Sequence, residues 1–313
     1  EETGDTLYVD STNYDYDTKT YILKDNDASN SPILITDEWS TSGYSFNYSY
    51  DTSSDKVYAV EELVDGSGYI IAVKNQYNDY YSGEENVSWN TYQTSANGVI
   101  DWSLSSWSND ISGSEVYFNE DLNADGVIGI DNSKLTLRTA DTSGDQLAVN
   151  SKDNLFIYTT DNTYIPIIDA NGGNPVSIES SYSYGSEGEE YYSYSTTDAF
   201  YVEKHDNGTP DNSEDDKYLL ATKYYSTTSY SGSDTWTSEN WTIYDINLDG
   251  TFNWYGTYNV IIEDYENIFN TDINGDGSNG LNTDDLTSIT TDTYGTKLKK
   301  KDNILYIVDG DGS

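Results

Sequence analysis

The chain has no cysteine and no methionine, one histidine, four prolines, and only 14 lysines and arginines in 313 residues. Without cysteine, disulfide staples, thiolate metal sites and cysteine nucleophiles are excluded, and the sequence gives no direct reading of redox compartment. The single His205 sits in the polar stretch Lys204 to Gly208 and reads as a surface residue. The remaining catalytic option is a carboxylate pair, and nothing singles one out, so no enzyme is expected. No apolar run approaches the roughly 20 residues that span a bilayer, which argues against membrane insertion. There is no basic-then-apolar leader at the start, and with methionine absent Glu1 is expected to be a processed or trimmed end. Basic residues are outnumbered by 56 Asp and Glu, a formal charge of −42. Partners bound through phosphates are repelled by such a chain, so nucleic acid and anionic membrane surfaces are poor candidates.

What is present is packing surface. Aromatics make up 14% of the chain, with 32 Tyr and 7 Trp, and the apolar fraction is 35%. That is too much for a disordered acidic segment. Because like charges oppose compaction, a folded chain this acidic needs bound cations or salty surroundings. The charge points to divalent metal.

A long internal repeat organises the sequence. The stretch Ser114 to Ile130 aligns with Tyr265 to Leu281, placing Glu115 on Glu266, Phe118 on Phe269 and Asp121 on Asp272, each 151 positions apart. Upstream, the strand-like run at Tyr69 matches that at Tyr218, Trp89 matches Trp241, and Trp102 matches Trp254. The run starting at Asp153 has counterparts at Asp5 and again at Asp302. The expected organisation is therefore a first module over 1–131 that lacks its lead segment, a second over 132–284, and the start of a third over 285–313.

Alternating or β-branched and aromatic runs dominate, separated by Gly, Asn, Asp and Ser turns. They predict an all-β fold of tandem sandwich-like modules. Short helices are expected just before Asp121 and Asp272, with Val116 and Phe118, and Ile261, Tyr265, Ile268 and Phe269, as their apolar stripes.

These helices lead into the clearest chemistry. Asp121, Asn123 and Asp125 followed by Gly126, and Asp272, Asn274 and Asp276 followed by Gly277, put oxygen side chains at positions 1, 3 and 5 and Gly at 6 of an EF-hand-type loop. The backbone carbonyls of Val127 and Ser278 fall at position 7. Hard oxygen donors suit Ca²⁺. Position 12 holds Asn132 and Thr283 in place of the bidentate Glu, with Asp131 and Asp284 close by as substitutes. A third look-alike, Asp245, Asn247 and Asp249, aligns with a segment lacking the carboxylates, so a hairpin turn competes with metal there. The acidic runs Asp211 to Asp216 and from Asp309 read as solvated surface.

The tryptophans could offer flat faces to a glycan. Repeating with the module, Trp89, Trp102, Trp241 and Trp254 are better read as core or cross-strand residues.

The run from Tyr69 to Ile130, with its Trp-Asn-Thr strand, Asn-Gly hairpin and Phe118–Asn119–Glu120–Asp121–Leu122–Asn123–Ala124–Asp125–Gly126 ending, resembles the tryptophan-rich repeat family of large secreted cyanobacterial and related bacterial surface proteins. Module 2 shows the same ending from Phe269 to Gly280, departing at Ser278 and Asn279. The resemblance implies an exported, extracellular repeat protein. The expectation is a calcium-stabilised structural subunit of a surface layer, matrix, adhesin or filament. It is expected to self-associate, with strand addition by the segment after Asp285 as one route and a calcium-dependent carbohydrate-binding module as the alternative. Extracellular calcium sites bind at roughly 10⁻⁴ to 10⁻³ M, so folding is expected to await export.

Overall fold

In the computed structural model of the chain, the described residues are 6–10, 19–23, 31–39, 43–46, 48–50, 53–78, 85–138, 144–169, 173–185, 191–206, 215–230, 235–291, 293, 295–301 and 304–308. The fold is all-β, in antiparallel sheets. Strands β1 (Thr6–Asp10), β2 (Lys19–Leu23) and β3 (Ile33–Leu34) form a small sheet. A five-stranded meander follows, pairing in chain order: β4 (Tyr48–Tyr50), β5 (Ser53–Glu62), β6 (Gly68–Asn78), β7 (Glu85–Ser95) and β8 (Ile100–Ser108). Helix α1 (Ser112–Phe118), an Asp-rich loop and a 3₁₀ turn at Asn132–Lys134 come next.

The pattern then recurs. A small sheet of β9 (Thr136–Leu137), β10 (Gln146–Val149), β11 (Leu155–Tyr158) and β12 (Tyr164–Pro166) precedes a second meander. Its strands are β13 (Ser180–Tyr184), β14 (Tyr191–His205), β15 (Lys217–Tyr230), β16 (Thr235–Ile246) and β17 (Thr257–Val260). Helix α2 (Glu263–Phe269), a second Asp-rich loop and a 3₁₀ turn at Thr283–Asp285 follow. A last small sheet holds β18 (Thr287–Thr291), β19 (Lys297–Lys301) and β20 (Ile304–Val308).

Each meander is the middle of three layers, which explains why its central strand is apolar without alternation. In β6, Tyr69, Ile71 and Val73 pack with Ile22, Ile35 and Phe46 toward the small sheet. Ile70 and Ala72 pack on the opposite face with Trp89, Ile111, Phe118 and Leu122, which belong to the helix and loop side. In β15, Tyr218 and Leu220 join Leu147, Leu155 and Ile157, while Leu219 and Ala221 join Ile262 and Phe269. Fully burying one such side chain contributes about 2 kcal/mol, so the helix and loop are held on the meander by its second apolar face.

The meanders also press a tight turn onto their small sheets. Gly98 (φ +80) and Gly250 (φ +90) sit in the left-handed region, and a Cβ there would lie 2.6 Å from the Leu34 carbonyl oxygen and 2.0 Å from that of Pro166. Glycine is required on both counts.

One expectation narrows and one needs correction. Trp89 is a core residue and Trp102 a cross-strand one, set against Tyr92 of β7, but Trp102 and Trp254 are 39% and 48% exposed. They lie on or beside the edge strands β8 and β17, where sheet neighbours cover one side only, and they stack on Tyr44 and Tyr92, and on Phe252. Val116 faces solvent; the buried face of α1 is Ser112, Ser114, Glu115 and Phe118, because the helix carries a carboxylate inward.

The final sheet copies the start of the second unit in register. Thr287 pairs with Lys300 and Ser288 with Lys299, as Thr136 pairs with Val149 and Leu137 with Ala148. Leu298 pairs with Ile307 as Leu147 pairs with Ile157. Leu155 and Ile157 are completely buried beneath the second meander, whereas Leu305 and Ile307, in the equivalent places, are 62% and 77% exposed.

Candidate metal centres

The helix before each loop supplies one inward carboxylate. Glu115 is fully buried, and its Oε1 accepts hydrogen bonds from the Leu122 and Asn123 N–H groups while Oε2 accepts from Gly129 N–H. Glu266 is equally buried and accepts from Ile273, Asn274 and Gly280 in the same pattern. Burial pushes the Glu115 carboxyl above its ordinary range and the nearby Asp121 charge adds to the rise, against the pull of its three N–H donors. A buried carboxylate stands only when its lone pairs are satisfied, so each Glu locks the two ends of its loop to the helix. Sequence reasoning aligned Glu115 with Glu266 without assigning them this role. The available signal was a Glu six positions before the first Asp in both copies.

Inside the locked frame the loop folds around Asp121 and Asp272. Asp121 Oδ1 accepts from Asp125 N–H at 3.0 Å and Oδ2 from Gly126 N–H at 2.9 Å. Asn123 Oδ1 accepts from Asp125 N–H, and Asp125 Oδ1 from Val127 N–H. In the second loop Asp272 accepts from Gly275, Asp276 and Gly277, Asn274 from Asp276, and Asp276 Oδ1 from Ser278. Thus the predicted residues at positions 1, 3 and 5 of each loop are brought together by shared backbone donors. A carboxylate or amide oxygen that accepts one N–H keeps a second lone pair for a cation.

One atom tests the fit directly. Asp276 Oδ2 is buried and has no hydrogen-bond partner, an expensive arrangement for a carboxylate oxygen unless a cation completes it. The donors around it are hard oxygens, suited to Ca²⁺. Among the described residues no three His, Cys, Asp or Glu side chains gather as a ligand cluster. Each loop offers two carboxylates and an amide, so a calcium ion there would draw the rest of its coordination from backbone carbonyls and water.

The first loop differs. Lys134 Nζ lies 3.1 Å from Asp131 Oδ2 and 3.5 Å from Asp125 Oδ2, and donates to the Asp125 carbonyl. The hydrogen bond to Asp131, together with Asp125, holds this ammonium above its usual range. Asp131 Oδ1 meanwhile caps the 3₁₀ turn through Ser133, so the side chain proposed to replace position 12 is engaged with the turn and the lysine. In the second loop Asn282 does the capping, accepting from Asp284 N–H.

The third look-alike is wired as a turn. Asn247 N–H donates to the Thr251 carbonyl and Gly250 N–H to that of Asn247, matching Ser95 with Val99 and Gly98 with Ser95. Asp245 pairs with Lys217 and Asp249 accepts from Thr251 N–H, so these carboxylates are engaged separately. His205 closes β14 opposite Lys217. Of the acidic runs, Asp216 pairs with Lys204; Asp211 and the segment from Asp309 lie outside the described residues.

The first loop also sits at a junction. A cleft of about 200 Å³ is bounded by Asn123, Asp125, Asp131 and Lys134 on one side and by Asn150 and Lys152, ahead of β11, on the other. Beside it, buried Asp110 accepts from Asn150 and Asn154, and Ser114 N–H donates to Asn174. At the next junction Lys301, in the place of Lys152, donates to Glu263.

No protein-family model matches this chain, and neither the curated proteins nor the solved structures contain a match. The resemblance to the tryptophan-rich repeats is carried by motif residues alone. No helix among the described residues is long and apolar enough to cross a membrane.

Proposed function

We propose that this chain is an extracellular structural repeat protein, without catalytic function, in which calcium completes each Asp-rich loop and so stiffens the joint between one module and the next. The observation that carries the reading is the pair of Asp-rich loops tied from equivalent positions to a buried Glu, with the partnerless Asp276 Oδ2 at the second. The location of the first loop at a module junction extends this from single modules to the array. A calcium-saturated site at about 100 times its Kd adds about 2.7 kcal/mol to the stability of the folded state. Thermal unfolding in millimolar calcium and again in chelator is the test: calcium should raise Tm and cooperativity, and identical curves would dismiss the reading.

Self-association follows from the third copy. The face bearing Leu305 and Ile307 is equivalent to one that a five-stranded meander covers in the second unit, so its natural occupant is more of the same architecture in series. Strand β1 stands where β10 stands in the second unit, since Ile35 N–H donates to the Thr20 carbonyl as Ile167 N–H does to that of Leu155. The expected loss of the lead segment therefore reduces to β9, and the open edge of β1 is where a strand like β18 from another copy would add. Sedimentation of the calcium-loaded chain should show concentration-dependent assembly that is lost on deleting the residues after Asp285. Assembly that survives the deletion would remove strand addition from the account.

A further inference from the structure

Where β8 meets the second unit, a cleft of about 290 Å³ lies between two exposed indoles, Trp107 on β8 and Trp254 ahead of β17. Trp107 is 67% exposed and belongs to neither core. Large aromatic faces left in water beside a cavity mark a place where something binds. Trp254 is also fixed in orientation: its Nε1–H donates to Asp169 Oδ2 at 3.0 Å, and its ring meets Phe252 edge-on at 4.7 Å between centroids. Between the indoles the wall is polar, lined by Asp169, Ser177 and Glu179, the last of which is ion-paired with Arg138 through Oε1.

We propose that this inter-module cleft binds a neutral saccharide, its pyranose faces against Trp107 and Trp254 and its hydroxyls donating to the wall oxygens. Flat faces that suit an indole belong to nucleobases, aromatic side chains and pyranose rings. Nucleic acid carries charge that a chain at −42 repels, and uronate-rich polysaccharides meet the same barrier beside Asp169 and Glu179. An aromatic side chain brings at most one polar donor, whereas a pyranose brings several around its rim and C–H groups on its face. The volume is near the lower end of the roughly 300–1,000 Å³ found for small-ligand sites, room for a ring or two of a longer polymer. Because one indole comes from each unit, the site exists only when the junction is formed. The scaffold would thereby also hold glycan.

The test uses the full chain in calcium, titrated with neutral gluco-, galacto-, manno- and N-acetylglucosamine oligosaccharides and with polygalacturonate, followed by tryptophan fluorescence and calorimetry. At least one neutral series should bind saturably and polygalacturonate should not. Trp107→Ala should weaken that binding at least about tenfold, with Tm unchanged because the indole supports no core. Trp254→Ala should weaken it comparably and also lower Tm, since that indole packs on the core residue Phe252 and donates to Asp169. Trp102→Ala, an exposed indole outside the cleft, should leave affinity within about twofold, the size of an energetically neutral contact. Absence of saturable binding by every neutral sugar, preference for polygalacturonate, or full affinity in Trp107→Ala would each overturn the proposal.

Discussion

The loops at Asp121 and Asp272 share a backbone and differ in charge. Both are tied to a buried Glu by three N–H donors from equivalent positions. The first then brings its own cation, Lys134, against Asp125 and Asp131, while the second leaves Asp276 Oδ2 buried and partnerless. In place of Lys134 the second copy has Asp285, and its cation is Lys301, which lies 3.1 Å from Glu263 Oε1 and 4.0 Å from Asp285 Oδ2. Lys301 thus pairs with acids flanking positions 1, 3 and 5, whereas Lys134 lies against the position-5 carboxylate itself. The comparison separates two jobs that a metal loop combines: the Glu lock sets its shape, and the acid-to-base balance sets its demand for calcium. By that logic the second loop is the stronger calcium site, despite its departures from the repeat pattern at Ser278 and Asn279.

The largest effect expected is on the shared lock. Glu266→Ala or Glu115→Ala strands three backbone donors in a buried place, at a cost of about 3 kcal/mol or more. Denaturant unfolding of each variant should show similar losses; a large loss in one copy and none in the other would break the equivalence of the loops. Next in size is the metal contribution. Asp276→Ala should abolish about 2.7 kcal/mol of calcium-dependent stabilisation measured at 100 times Kd, and Asp125→Ala should abolish less, since its loop is already partly neutralised. Lys134→Ala sharpens the contrast. A unit charge about 4 Å away is worth about 1 kcal/mol in water, so calorimetry should find calcium affinity at the first loop raised about fivefold and the second unchanged.

The smallest effect concerns the look-alike turn. Thr251 N–H, with the Thr251 hydroxyl, holds the Asp249 carboxyl below its ordinary range. A lowered folded-state value means stability present above the unfolded carboxylate pKa and lost as pH falls through the folded one. Asp249→Asn should therefore flatten the fall of Tm below about pH 4 and leave calcium response untouched. A change in that response would restore Asp245, Asn247 and Asp249 as a metal site.

Much of this was legible in the sequence because its signals are local. Tyr69 to Val73 reads as a strand buried on both faces, and the D-x-N-x-D-G spacing fixes which oxygens converge. What was hidden depends on partners distant in sequence. Glu115 looks like any surface acid until the Leu122, Asn123 and Gly129 donors fold back on it. Trp102 and Trp254 repeat with the module as core residues do, yet the edge position of their strands leaves them half in water. Lys134 reads as one more turn residue until the 3₁₀ turn swings it over Asp125, and Asp110 gains meaning only from Asn150 and Asn154 across the junction.

Calcium per chain, counted by atomic emission after equilibrium dialysis in millimolar calcium, bears on all of this at once. Two ions per chain, one lost in Asp121→Ala and the other in Asp272→Ala, is the predicted result. A count of zero, or two ions unaffected by either substitution, would contradict the assignment of these loops as what rigidifies the array.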